Sequence, residues 1–150
     1  MTHQPINQLN ATFHQKSTAL SLIITTSTTA WYIANMWPMR PSALAADTIP
    51  AGFGSLLLSS VLVIIVAQIV LQIVLTIGSG SAPEATAHER HAEQKAQSHA
   101  SYVLTIGVLA AVGTIFFEEL TVFCTANIAI LSLAFAQITK LALQIIYSRE

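Results

Sequence analysis

Charged side chains are scarce in this sequence. Asp, Glu, Lys and Arg make up only 9% of the 150 residues, against about 25% in a typical soluble domain. Apolar residues reach 53%, and the mean hydropathy is +0.64. So few charges cannot cover a soluble globule of this size, and a net charge of −1 leaves no basic surface for nucleic acid. The composition therefore predicts an integral membrane protein whose first partner is the lipid bilayer.

Other absences bear on chemistry. The single cysteine, Cys124, lies in an apolar run and excludes an internal disulfide. No histidine lies within an apolar run, which excludes a bis-histidine haem inside the bilayer, and no acidic residue lies deep in one, which argues against a proton-coupled drug exporter. The chain has neither a glycine-rich phosphate loop nor a nucleophile–base pair. We therefore predict no cofactor and no catalytic residue, and an enzyme is not indicated.

Four apolar runs are long enough to cross a ~30 Å hydrocarbon core as helices that rise about 1.5 Å per residue. They comprise residues 18–37, 53–77, 101–118 and 122–147. The short link between the last two makes them antiparallel neighbours. The predicted fold class is all-α, a polytopic membrane protein with four transmembrane helices in an antiparallel bundle over residues 17–150. Near the end of the first run, Trp31, Tyr32 and Trp37 are typical of an aromatic belt at the water boundary.

Two segments allow alternatives. Residues 1–16 are polar, and Ile6, Leu9 and Phe13 share one helical face, so the segment is either a frayed tail or a helix on the membrane surface. Ala43-Leu44-Ala45 resembles a signal-peptidase site. The preceding run is long for a signal segment, lacks a strongly basic start and is followed by Arg40. We therefore expect the first helix to be retained.

Basic residues predict the orientation. The two tails, the central charged segment and the end of the last run carry five of the six, Lys16, Arg90, Lys95, Lys140 and Arg149, whereas the opposite loops carry only Arg40. Both termini and the charged segment 79–100 should face the cytoplasm, and the protein should be a multi-pass protein of the cell membrane, in a bacterium the inner membrane.

Amides and one amine interrupt the second and fourth runs. These residues are Gln68, Gln72, Gln137, Lys140 and Gln144. Counted from the cytoplasmic ends, Gln68 and Gln137 lie at similar depth. We predict an intramembrane polar network, which either bonds helices together or lines a path for a small solute with Lys140 as its ionisable group.

The charged segment predicts a cytoplasmic docking surface, composed of His88, Glu89, Arg90, His91, Glu93, Lys95 and His99. His88, His91, Lys95 and His99 share one helical face. A metal site is not expected, because the Lys95 ammonium would repel a cation and the string lacks the spacing of the zinc-protease motif. A solvated face is the simplest interpretation, and a pH-sensing role for the histidines is a further one.

Several stretches carry a resemblance. They are Gln68 to Leu75, the Glu89-Arg90 pair, Ser101 to Leu109 and Lys140 to Arg149. Together they resemble a family of small, uncharacterised four-helix bacterial inner-membrane proteins, whose cytoplasmic hinge before the third helix is a more acidic Asp-Glu-Arg-Asp. This sequence keeps the Glu-Arg pair and has Ala87, His88 and His91 around it, which removes the basis for any role of an acidic cluster. The resemblance supports the four-span count and implies no activity.

The leading functional hypothesis is a non-enzymatic membrane protein that acts through helix–helix contacts, as a homo-oligomer or as an accessory subunit of a membrane complex. The alternative is a small-solute transporter or channel component lined by the embedded glutamines and Lys140. A membrane-bound, metal-dependent enzyme is the least favoured hypothesis.

Overall fold

A computed structural model describes the backbone of residues 4–79, 87–117 and 120–148, and the side chains of residues 15–77, 87–117 and 120–148. All of the regular structure in these segments is helical, which confirms the all-α prediction. In chain order the helices are α1 (Gln4–Met36), the short α2 (Arg40–Ala46), α3 (Phe53–Ser79), α4 (Ala87–Gly113) and α5 (Val122–Tyr147), with 3-10 turns at Trp37–Met39 and Thr114–Phe116. The side chains of Ile6, Leu9 and Phe13, the residues from Gly80 to Thr86, and Glu118, Glu119 and Arg149 lie outside the described residues.

Within the described residues, three helices are long and apolar enough to cross a membrane. They cover Phe53–Ile77, Ala87–Phe116 and Val122–Tyr147. The membrane class predicted from composition is therefore confirmed at this level. The first predicted run is not among the three, because hydroxyl groups dilute its apolar side chains. Two of these hydroxyls bond to helix carbonyls one turn back, from Thr28 to Ile24 at 2.9 Å and from Thr29 to Thr25 at 2.7 Å.

Two helices run on past the boundaries expected from hydropathy. α1 is continuous from Gln4 through the polar residues into the apolar run, so its polar beginning is not a separate surface helix. α4 likewise begins at Ala87, within the charged segment, and continues through residue 101 without a break. Nothing in either helix breaks the α conformation at those points, since both lack proline and glycine there. The change from polar to apolar residues occurs along one helix in each case.

The link between α1 and α3 turns sharply. α2 ends at Asp47 in the left-handed conformation, and Gly52 has φ +88° just before α3 begins. Glycine suits Gly52 because a side chain would be strained at that φ. Ala43 of α2 is fully buried, so the link packs back onto the helices that it joins.

The long helices contact one another in the order α3, α1, α5, α4. One core cluster joins the end of α1 to the beginnings of α3 and α5, and its members are Tyr32, Met36, Ala43, Phe53, Leu56 and Phe123. Within it, the rings of Phe53 and Phe123 meet edge to face with centroids 5.0 Å apart. Tyr32 is thus a core residue, whereas Trp31 and Trp37 are exposed.

Small residues bring α4 and α5 together. Ala92, Ala96, Ala100 and Ala111 are buried on one face of α4. Between Ala100 and Ala111, a Cβ atom at Gly107 would collide with the side chain of Ser132 on α5. Such contacts let two helix backbones approach closely, which is how helices associate where lipid removes the hydrophobic driving force.

Candidate functional site

The predicted polar residues of α3 have different surroundings. Gln68 is partly buried, and its Oε1 accepts a hydrogen bond of 2.9 Å from the Ser21 hydroxyl on α1. Gln72, one turn further on, is exposed. The Gln68 amide therefore joins α3 to α1, whereas the Gln72 side chain lies on the exposed side of α3.

The predicted polar residues of α5 point to two sides of that helix. The Lys140 ammonium lies 3.2 Å from the Glu93 carboxylate on α4. Gln144 lines a small pocket of mixed polarity beside Gln15, Glu89 and Ser148. Gln137 faces a larger cavity between α1, α3 and α5. Among the described residues, Gln68 bonds to α1 and Lys140 pairs with α4, and no hydrogen bond joins Gln68 to Gln137.

The predicted cytoplasmic surface is the first half of α4. His88, Arg90, His91, Glu93, Lys95 and His99 are exposed, and Glu89 is half-buried. The alanines between them face the bundle, which explains why the charged side chains share the outer side. Glu93 is bound to Lys140, so one acid of this surface is already engaged.

Tyr147, at the end of α5, contacts this surface. The Lys95 ammonium lies 5.9 Å from the centroid of its ring, and the ring of His99 lies 6.1 Å away. Nδ1 of His99 is also 2.9 Å from the Lys95 carbonyl oxygen. Within the described parts of the chain, no group of three or more His, Cys, Asp or Glu residues could hold a metal ion.

A buried polar pair joins α1 to α5. The Tyr32 hydroxyl donates a hydrogen bond of 2.6 Å to Asn127 Oδ1, and the Asn127 amide donates to the Phe123 carbonyl at 2.7 Å. Both side chains are buried. Sequence reasoning did not find this pair, although an asparagine inside an apolar run is itself a signal that a partner lies nearby.

An open groove of about 380 Å³ lies between α1, α3 and α5 and is here called the α1–α3–α5 groove. Its surface is almost wholly apolar, although several hydroxyl residues form its wall. It is lined by Thr25, Thr28, Thr29, Tyr32, Leu57, Ser60, Val61, Ile64, Ile130, Leu131, Leu133, Ala134 and Gln137. None of these described residues is charged.

The hydroxyls in the groove wall differ in whether they have a hydrogen-bond partner. Those of Thr28, Thr29 and Ser60 bond to carbonyls of their own helices, and the Tyr32 hydroxyl bonds to Asn127. Thr25 is 3% exposed, and its Oγ1 has no hydrogen-bond partner among the described residues. An unpaired polar atom in an apolar site is costly, which singles out Thr25 as the unsatisfied group of the groove.

No family model matches this chain, and no curated protein or solved structure matches it either.

Proposed function

We propose that this chain is a four-span protein of the bacterial inner membrane, with antiparallel helices and both termini in the cytoplasm. It has no catalytic function. It acts through helix–helix contacts, as a homo-oligomer or as an accessory subunit of a membrane complex.

The observation that carries the proposal is the exposure of α3. This is the least buried of the three membrane-suited helices. Large apolar side chains are exposed along most of its length: Leu58, Val61, Leu62, Val63, Ile65, Val66, Ile69, Val70, Ile73, Val74 and Ile77. Its main neighbour is α1, so its outer side is free for lipid or for a helix of another chain. α3 is accordingly the helix through which we expect association.

Two features support α1 as the fourth span. Hydroxyls that bond to carbonyls of their own helix cost little in lipid, so the hydroxyl-rich segment is more compatible with the bilayer than its hydropathy indicates. Trp31 and Trp37 are exposed near the end of α1, and the guanidinium of Arg40 lies 5.3 Å from the centroid of the Trp37 ring. Aromatic and basic side chains at a helix end are typical of the membrane–water boundary.

Cysteine labelling distinguishes four spans from three. In a Cys124→Ser background, Lys16→Cys, Ser42→Cys and His91→Cys would be treated in intact cells with a membrane-impermeant maleimide. Four spans require labelling at position 42 alone, with positions 16 and 91 reacting only after the membrane is opened. Labelling of positions 16 and 42 from the same side would overturn the four-span proposal.

The association itself is tested by the mass of the purified protein in mild detergent. Light scattering should show an oligomer, or a complex with a stoichiometric partner. Replacing Leu62 and Ile69 on the outer side of α3 with Trp keeps the helix apolar and blocks close packing, so the mass should fall. The matched control is Ile106→Trp with Leu109→Trp on exposed positions of α4. A wild-type monomer without a partner would contradict the proposal.

The transport alternative has less support. Its ionisable group, Lys140, lies beside Glu93, and its amides face different neighbours. The groove that Gln137 lines is apolar, which does not suit a polar solute. Solute flux in reconstituted vesicles that Lys140→Ala abolishes would nevertheless restore transport as the leading function.

A further inference from the structure

We propose that the link between α1 and α3 binds an anionic phospholipid. The headgroup phosphate lies against the Arg40 guanidinium, and an acyl chain lies against the apolar wall that Trp37, Pro41 and Leu44 form beside it. The proposal requires that α3 and α5 cross a membrane, as their length and composition allow. It depends neither on the number of spans nor on the oligomer proposed above.

The link lies at the end of the bundle where α3 and α5 begin. Met36 of α1 and Ala43 of α2 belong to the same core cluster as Phe53 and Phe123, which lie in the first turns of those two helices. Four exposed aromatic side chains lie at this end, and they are Trp31, Trp37, Phe116 and Phe117. Aromatic side chains are enriched at the level of the lipid headgroups. The link is therefore within reach of headgroup phosphates.

Arg40 supplies an accessible positive charge in the link. Its guanidinium carbon lies 5.3 Å from the centroid of the Trp37 ring, within the range of a cation–π contact. Arg40 is exposed and forms no ion pair with any described residue. Asp47, the other described charge of the link, lies at the opposite end of α2. A guanidinium without a counter-charge favours an anion, and its fork of N–H donors matches the oxygen atoms of a phosphate.

The surface beside the guanidinium selects a ligand with a hydrocarbon chain. An open cavity of about 310 Å³ is lined by Trp37, Arg40, Pro41 and Leu44, and its surface is almost wholly apolar. Trp37 is 60% exposed and Leu44 is 41% exposed, so both are accessible from outside the bundle. An acyl chain that covers this wall is removed from water together with it, whereas a small soluble anion leaves the wall uncovered. At a membrane boundary, the molecule that combines a phosphate with acyl chains is a phospholipid.

The charge of Arg40 also predicts which phospholipid binds best. Phosphatidylcholine carries a cation that offsets its phosphate, whereas phosphatidylglycerol has a net negative charge. One basic side chain near a membrane surface favours an anionic lipid about fivefold. Arg40 should therefore select phosphatidylglycerol over phosphatidylcholine with the same acyl chains.

Quenching of Trp37 fluorescence by brominated acyl chains tests the site in the full-length protein. The sequence contains only two tryptophans, so Trp31→Phe leaves Trp37 as the sole reporter. In mild detergent, brominated phosphatidylglycerol should quench Trp37 saturably, at a concentration about fivefold lower than brominated phosphatidylcholine requires.

Variants at exposed positions separate the headgroup contact from the acyl-chain contact. In the Trp31→Phe background, Arg40→Gln should abolish the preference for phosphatidylglycerol. Leu44→Ser should weaken the binding of both lipids equally, because it removes part of the wall and leaves the charge in place. Arg90→Gln is the matched control, since it removes the same charge from an exposed position at the other end of the bundle and should leave the preference unchanged.

Four results would overturn the proposal. Equal quenching by the two lipids would show only the ordinary lipid layer around the helices. Equal loss of the preference in Arg40→Gln and Arg90→Gln would show that net charge selects the lipid. Displacement of brominated phosphatidylglycerol by glycerol 3-phosphate, which has no acyl chain, would assign the site to a soluble anion. Absence of saturable quenching by both lipids would show that no lipid binds, and a fall in particle mass in Arg40→Gln would then assign Arg40 to a contact with a second copy.

Discussion

The α4–α5 pair and the α1–α3 pair pack in different ways. Along α4–α5, alanines and Gly107 allow close contact that begins at the charged first turns of α4. The contact extends to Thr114 and Thr125, whose hydroxyl oxygens are 2.6 Å apart. α3 instead meets α1 at its buried beginning and again through the bond from Ser21 to Gln68, and it leaves the groove open beside it. Side-chain size explains the difference, because small residues permit close helix contact whereas the Leu, Ile and Val side chains of α3 suit lipid. The tight pair therefore joins two helices along their length, whereas the loose pair leaves most of α3 exposed.

The largest effect is expected at the tight pair. Gly107→Leu would force α4 and α5 apart, since even a Cβ atom at this position collides with Ser132. The free energy of unfolding should fall by about 3 kcal/mol, measured by SDS titration in mixed micelles. Gly113→Ala is the control, because a Cβ atom there would meet nothing within 4 Å and no loss of stability is expected. Equal effects at the two glycines would mean that close packing does not hold this pair.

A medium effect is expected where α1 meets α5. Tyr32→Phe removes the donor to Asn127 and leaves a buried oxygen unsatisfied, so stability should fall by about 1 to 2 kcal/mol in the same titration. Tyr102→Phe supplies the comparison, since Tyr102 is 67% exposed and its hydroxyl has no bond to lose in the described part of the chain. If both substitutions were neutral, the pair would contribute no net stability.

A smaller effect is expected at the loose pair. Gln68→Leu should cost about 0.6 kcal/mol, the average for one hydrogen bond between membrane helices, because it leaves the Ser21 hydroxyl without its acceptor. Gln137→Leu should cost less, since the Gln137 amide has no bond to lose among the described residues. Thermal unfolding in detergent would measure both variants. A greater loss for Gln137→Leu would indicate that the two glutamines do form the network that their depths predict.

The smallest effect is expected at the ion pair between α4 and α5. The side chains of Lys140 and Glu93 are 23% and 50% exposed, so solvent screens their attraction. A double-mutant cycle with Lys140→Gln and Glu93→Gln should give a coupling free energy of about 0.5 kcal/mol that declines as salt is added. Coupling that does not respond to salt would show that the pair is shielded from water.

Sequence patterns predicted the helices better than they predicted the contacts between them. Long apolar runs indicate helices in a membrane whatever their neighbours are, because the backbone must satisfy its own hydrogen bonds there. The continuation of α4 from Ala87 into the third apolar run was predictable as well, because no residue between them breaks a helix. The partner of Lys140, by contrast, was beyond sequence reasoning. Its distance to Glu93 depends on how α4 and α5 are aligned, which is determined by contacts such as that between Gly107 and Ser132.

The sequence by itself determined that this chain is helical and suited to a membrane. Scarce charge and long apolar runs indicate this without any knowledge of which helices contact one another. Only the tertiary structure decided which polar groups meet. It pairs Tyr32 with Asn127 and Ser21 with Gln68, and it leaves Thr25 without a partner in the groove wall. The physical reason is that a hydrogen bond requires two groups within about 3 Å of each other. Helices from distant parts of the chain reach that distance only where their side-chain sizes allow it.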